Sequence, residues 1–69
     1  MVEFKSLFDI EGQYGTIPCG SFLYVEAFDD YHFAQVPVKY SCLGESGLDE
    51  TISIDQLFNK CVLTEVING

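Results

Sequence analysis

At 69 residues the chain has room for one domain, because a second hydrophobic core takes roughly another 50 residues; residues 1–69 read as a single acidic, β-rich unit. A hydrophobic fraction of 48%, with six Phe and four Tyr, excludes a disordered tail, since that much apolar area offsets chain entropy. Eleven Asp and Glu stand against Lys5, Lys39 and Lys60 with no Arg, a formal charge of −8, which excludes direct binding to nucleic-acid phosphates or to anionic membranes.

The predicted elements are short and well punctuated. Phe4 to Ile10 alternates imperfectly as a first strand, and Glu11 to Gly20 gathers three Gly and one Pro, the composition of a long turning loop. From Ser21 to Phe28 the period is two: Leu23, Val25 and Ala27 share one face, and Phe22, Tyr24, Glu26 and Phe28 the other. Asp29-Asp30 interrupts that run as a hairpin turn. Tyr31 to Tyr40 resumes it, with Ala34, Val36 and Val38 opposite Phe33, Gln35, Pro37 and Lys39. Pro37 lacks a donor, which predicts an edge strand or a bulge and with it a docking edge.

Ser41 to Glu50, with Gly44, Gly47 and three carboxylates, reads as a flexible acidic loop, followed by a short strand at Thr51–Ile54. Ser53 and Gln56 have the spacing of a capping box, so a turn of helix is predicted through Leu57 and Phe58. Cys61 to Ile67 closes the chain as a last strand. This order of elements resembles the small SH3-like barrel, and the fold class expected is mostly β: a five-stranded SH3-like barrel or a strongly bent antiparallel sheet with one short helical turn. A domain this small buries about 60% of its unfolded surface, which leaves dimerisation open as a source of stability.

No catalytic residue, cofactor or metal site is predicted. Cys19, Cys42 and Cys61 are separated by 22 and 18 intervening residues, which match no zinc spacing, and their odd number favours reduced thiols in a cytosol. Glu26, Asp29 and Asp30 near His32 lack the alternating ligands and the Gly of a calcium loop. No run approaches the ~18 apolar residues of a membrane span, and Met1 to Lys5 lacks a secretory signal, so a soluble, cytoplasmic protein is expected.

The carboxylates fall in two groups, Glu26 with Asp29 and Asp30 at the hairpin, and Glu45, Asp49, Glu50 and Asp55 in and after the second loop. Turns project outward, so both groups are expected to face solvent as one or two negative patches, with Tyr24 and Phe33 as apolar anchors. Neither Lys nor Arg occurs from Ser6 through Val38 or between Tyr40 and Asn59. Sustained charge of one sign costs stability through self-repulsion, which suggests that it is used.

In size, charge and absence of an enzymatic motif the chain resembles the small acidic inhibitors of phages and mobile elements, including DNA-mimicking anti-CRISPR proteins. That resemblance implies a non-enzymatic inhibitor acting in the host cytoplasm on a basic nucleic-acid-binding protein or complex, such as a CRISPR effector, with carboxylates standing where phosphates sit. The alternative is an SH3-like adaptor or assembly subunit that uses an aromatic face or a strand edge to bind a peptide or a second copy of itself.

Overall fold

A computed structural model describes residues 1–26 and 35–67. Among these residues seven strands and one helix follow in the order β1 (Val2–Ser6), β2 (Ile10–Glu11), β3 (Thr16–Ile17), β4 (Phe22–Val25), β5 (Gln35–Cys42), β6 (Glu45–Ser53), α1 (Ile54–Lys60) and β7 (Cys61–Val66). Five strands form one antiparallel sheet in the order β6-β5-β4-β1-β7, and β2 pairs with β3 in a separate two-stranded ladder. The mostly β, antiparallel expectation therefore holds. The sheet is open, because β6 and β7 are its two ends. Among the described residues no helix is long and apolar enough to cross a membrane.

Alternation decides which side of the sheet is dry. Leu23 and Val25 of β4, Val36 and Val38 of β5, and Phe4 of β1 all point inward and are buried. Ile10 and Ile17 from the β2–β3 ladder, Ile52 from β6 and Leu57 from α1 complete the cluster. The faces assigned to Leu23, Val25, Val36 and Val38 from periodicity are those observed; Ala27, Ala34 and the Asp29-Asp30 turn lie outside the described residues.

Three expectations are corrected. The 11–20 stretch is not loop throughout, since it contributes Glu11 of β2 and the whole of β3, held by pairs Ile10↔Ile17 and Glu11↔Thr16. Pro37 does not mark an edge: β5 lies between β4 and β6, and its pairing with β4 is described only as far as Tyr24↔Lys39, two residues short of the proline. The imino nitrogen thus falls beyond that ladder.

The third correction is the largest. Ser41 to Glu50 is not a flexible loop but the end of β5 and the first two-thirds of β6, joined across Cys42↔Glu45 by Leu43-Gly44. Both turn residues have positive φ, 50° and 82°, the backbone of the tight turn whose twist matches its flanking strands. Leu43 is not a residue that announces such a turn. A carboxylate at an inward position of β6, Glu50 between Leu48 and Ile52, also breaks the apolar alternation that would have revealed the strand.

α1 begins as predicted. Ser53 is the N-cap and its Oγ accepts from the Gln56 amide at 3.3 Å. The reciprocal half of the box goes elsewhere, because the Gln56 carboxamide reaches the backbone of Glu11, accepting from its N–H at 2.9 Å and donating to its carbonyl at 2.8 Å. The Ser53 side chain thereby caps the helix, and the Gln56 side chain ties α1 to the β2–β3 ladder.

Candidate protein-binding face

The outward positions of the sheet form a continuous row. Asp49 of β6 lies opposite Lys39 of β5, Lys39 opposite Tyr24 of β4, Tyr24 opposite Glu3 of β1, and Glu3 opposite Glu65 of β7. Five strands each contribute one side chain to this row, three of them carboxylates, with an aromatic ring at its centre. Neighbouring strands stand about 4.8 Å apart, so the row spans roughly 20 Å. A shallow notch beside it is lined by Met1, Tyr24, Glu26, Pro37, Lys39 and Asp49.

The charges in this row are not independent. Lys39 Nζ bonds Asp49 Oδ1 at 2.8 Å with both side chains largely exposed; that bond and the Asp49 charge, with Glu26 adding to them, raise the lysine pKa. Burial first, and then the neighbouring Glu3 carboxylate, hold the Tyr24 phenol above its ordinary pKa, so it stays a neutral donor at neutral pH. Lys5, two residues beyond Glu3 along β1, is drawn over the Phe22 ring at 5.9 Å from its centroid. Two of the three lysines are thus engaged within the face, and Glu3, Glu26 and Glu65 set the sign of the field beyond it.

The residues singled out from the sequence divide. Tyr24, Glu26 and Asp49 meet on this face. Asp29, Asp30, Phe33 and His32 lie outside the described residues. Glu45 is exposed at the turn end of β6, and Asp55 is exposed in the first turn of α1, where its charge suits the free amides of the helix start.

Glu50 is the exception, and its expected place in a solvent-facing patch is corrected: it is 5% exposed. Its Oε1 accepts from the amides of Tyr14 and Thr51, each at 2.9 Å. It therefore anchors the 11–15 turn to β6 from below, and a Gln13 amide bond to the Thr51 carbonyl at 2.9 Å does so at the edge. Glu3 and Glu65 were missed. Glu65 falls in the expected Cys61–Ile67 strand, whereas the first strand, expected from Phe4 to Ile10, is observed at Val2–Ser6, which takes in Glu3; only the adjacency of β1, β4 and β7 brings the two beside Tyr24.

No protein-family model matches the chain, and no curated protein or solved structure matches it. Among the described residues no three His, Cys, Asp or Glu side chains converge where a metal ion would be held.

A second surface differs from the first in chemistry. Phe58 of α1 and Val62, Leu63 and Val66 of β7 are 44–60% exposed and border one apolar groove together with half-buried Cys61. Burial pushes the Cys61 thiol up to about 11, whereas Cys19 is exposed with its Sγ donating to the Leu7 carbonyl at 3.3 Å. At pH 8 only on the order of one Cys61 in a thousand is thiolate, the form that reacts. Limited iodoacetamide treatment read by peptide mass is expected to label Cys19 first, and faster modification of Cys61 would contradict that ordering.

Proposed function

We propose that the protein is a non-enzymatic binding module whose acidic outer sheet face docks on a basic surface of another protein, of the kind that otherwise holds nucleic acid. The row Asp49-Lys39-Tyr24-Glu3-Glu65 carries this reading, because it presents carboxylates on both sides of a partly buried aromatic while two of the few cations are spent inside the face. A net charge of −8 steers such a face toward cationic partners. On this reading the chain acts as a DNA mimic in the manner of the small acidic phage inhibitors it resembles, with a CRISPR effector complex as the target class. Glu26 and Asp49 then stand in for phosphates together with Glu3 and Glu65, and Asp29 and Asp30 belong to the same assignment. The strand order, with a short helix just before the last strand, supports an SH3-like architecture as the scaffold.

The test is capture of DNA-binding proteins from a bacterial lysate on the immobilised chain, at ~50 and ~500 mM NaCl, with duplex DNA as competitor. Capture is expected to be lost at high salt and on adding DNA. A Glu3→Gln/Glu26→Gln/Glu65→Gln variant, which keeps the hydrogen bonds from Thr64 to Glu3 available, is expected to lose about 10-fold or more in affinity with its fold unchanged. Salt-resistant capture, or capture indifferent to the triple substitution, contradicts the reading.

A further inference from the structure

The two ends of the sheet are treated differently. The edge of β6 is covered near its C-terminal end, at Thr51 by the Gln13 bond and behind it by the Glu50 anchor from the 11–15 turn. Among the described residues β7 is paired only with β1. From Val62 to Val66 every residue is exposed, although Leu63 lies on the core side of the sheet, opposite Phe4. Its sequence, Cys-Val-Leu-Thr-Glu-Val, contains no Lys, Pro or Gly to discourage strand addition. The register shift opposite Glu3/Phe4 leaves Thr64 without a ladder partner, and its hydroxyl turns in to Glu3 rather than out along the edge.

We propose that β7 is a homodimerisation edge, on which a second copy of this chain adds its own β7 antiparallel across a two-fold axis and joins two five-stranded sheets into one. In this register Cys61 faces the partner's Val66 and Val62 faces the partner's Glu65, each meeting a residue on its own side of the sheet, Leu63 faces the partner's Thr64 across the two-fold axis, and no two Glu65 carboxylates are opposed. The charges also complement one another. Lys60 precedes Cys61 at one end of β7, whereas Glu65 and its ladder neighbour Glu3 stand at the other. Antiparallel pairing sets the cationic end of each copy beside the anionic end of its partner, which offsets locally the repulsion between two chains of −8. Leu63 and Val66 from both copies line the new seam, which meets the acidic row only at its end, Glu65, while Asp49, Lys39, Tyr24 and Glu3 lie on the other strands.

Sedimentation equilibrium on the full chain from ~5 to ~500 μM is expected to show the mass rising from 7.7 kDa toward twice that value. Leu63→Lys, at a position already 53% exposed, is expected to raise the dimer Kd at least 100-fold with an unchanged far-UV spectrum. In the unaltered protein, amide exchange at Val62 to Glu65 is expected to slow with concentration while that of β6 does not. A 7.7 kDa species throughout, a dimer indifferent to Leu63→Lys, or β7 exchange independent of concentration each overturns the proposal.

Discussion

Replacing Glu50 by Ala is expected to destabilise the fold by about 2–4 kcal/mol, because two backbone amides, those of Tyr14 and Thr51, lose a charged acceptor in a site that is 5% exposed. Against a total of roughly 3–10 kcal/mol for a chain of this length, that is a large fraction. Glu50→Gln keeps the accepting oxygen and is expected to cost about 1 kcal/mol. The neighbouring glycine sharpens the test. A Cβ on Gly12 would fall inside contact distance of Glu50 Cγ and Cδ and 2.7 Å from Oε1, so Gly12→Ala displaces the carboxylate from its donors.

Gly-to-Ala changes in unstrained backbone usually stabilise by about 0.4–1 kcal/mol, yet here a loss of about 2–4 kcal/mol is expected. In the Glu50→Ala background the obstruction is gone, and Gly12→Ala is expected to be neutral or mildly stabilising. Urea unfolding of the four proteins, with equal m-values as the check on two-state behaviour, measures the coupling. Additive losses would mean that Glu50 and the 11–15 turn are not one unit.

The second large effect is expected at Leu57. It is the buried residue of α1, fully enclosed where the helix crosses from β6 to β7. Leu57→Ala removes that contact and leaves a cavity, at a cost of about 2–5 kcal/mol. Two positions on, Asn59 is exposed, and Asn59→Ala is expected to change stability by no more than about 0.5 kcal/mol. Thermal melts of the two variants check this, and similar losses at both positions would show that α1 contributes through helix propensity rather than through its buried face.

The acidic face and the β7 edge make separable demands on one small sheet. The first needs outward carboxylates held apart on rigid strands, at some cost in self-repulsion. The second needs a strand whose inward side chains remain uncovered in the single chain. Leu63 and Val66 supply that on β7, the strand farthest from β6, whose edge the 11–15 turn joins at Glu50 and Thr51.

What was legible in the sequence is what depends on near neighbours. The two faces of β4 and β5 follow from period-two alternation at Leu23, Val25, Val36 and Val38, and the start of α1 follows from a hydrogen bond between Ser53 and Gln56, three residues apart. Net charge and the absence of arginine likewise needed no structure to argue against phosphate binding. What needed the tertiary structure depends on partners far along the chain. Glu50 is buried because the Tyr14 amide, 36 residues away, needs an acceptor, and that inward carboxylate disguised β6 as a loop. Pro37 lies inside the sheet because strand order sets β5 between β4 and β6, and Glu3 and Glu65 join Tyr24 because it sets β1 between β4 and β7. Propensity and periodicity fix which way a side chain points from its own strand, whereas strand order and long-range hydrogen bonds decide which side chains it meets.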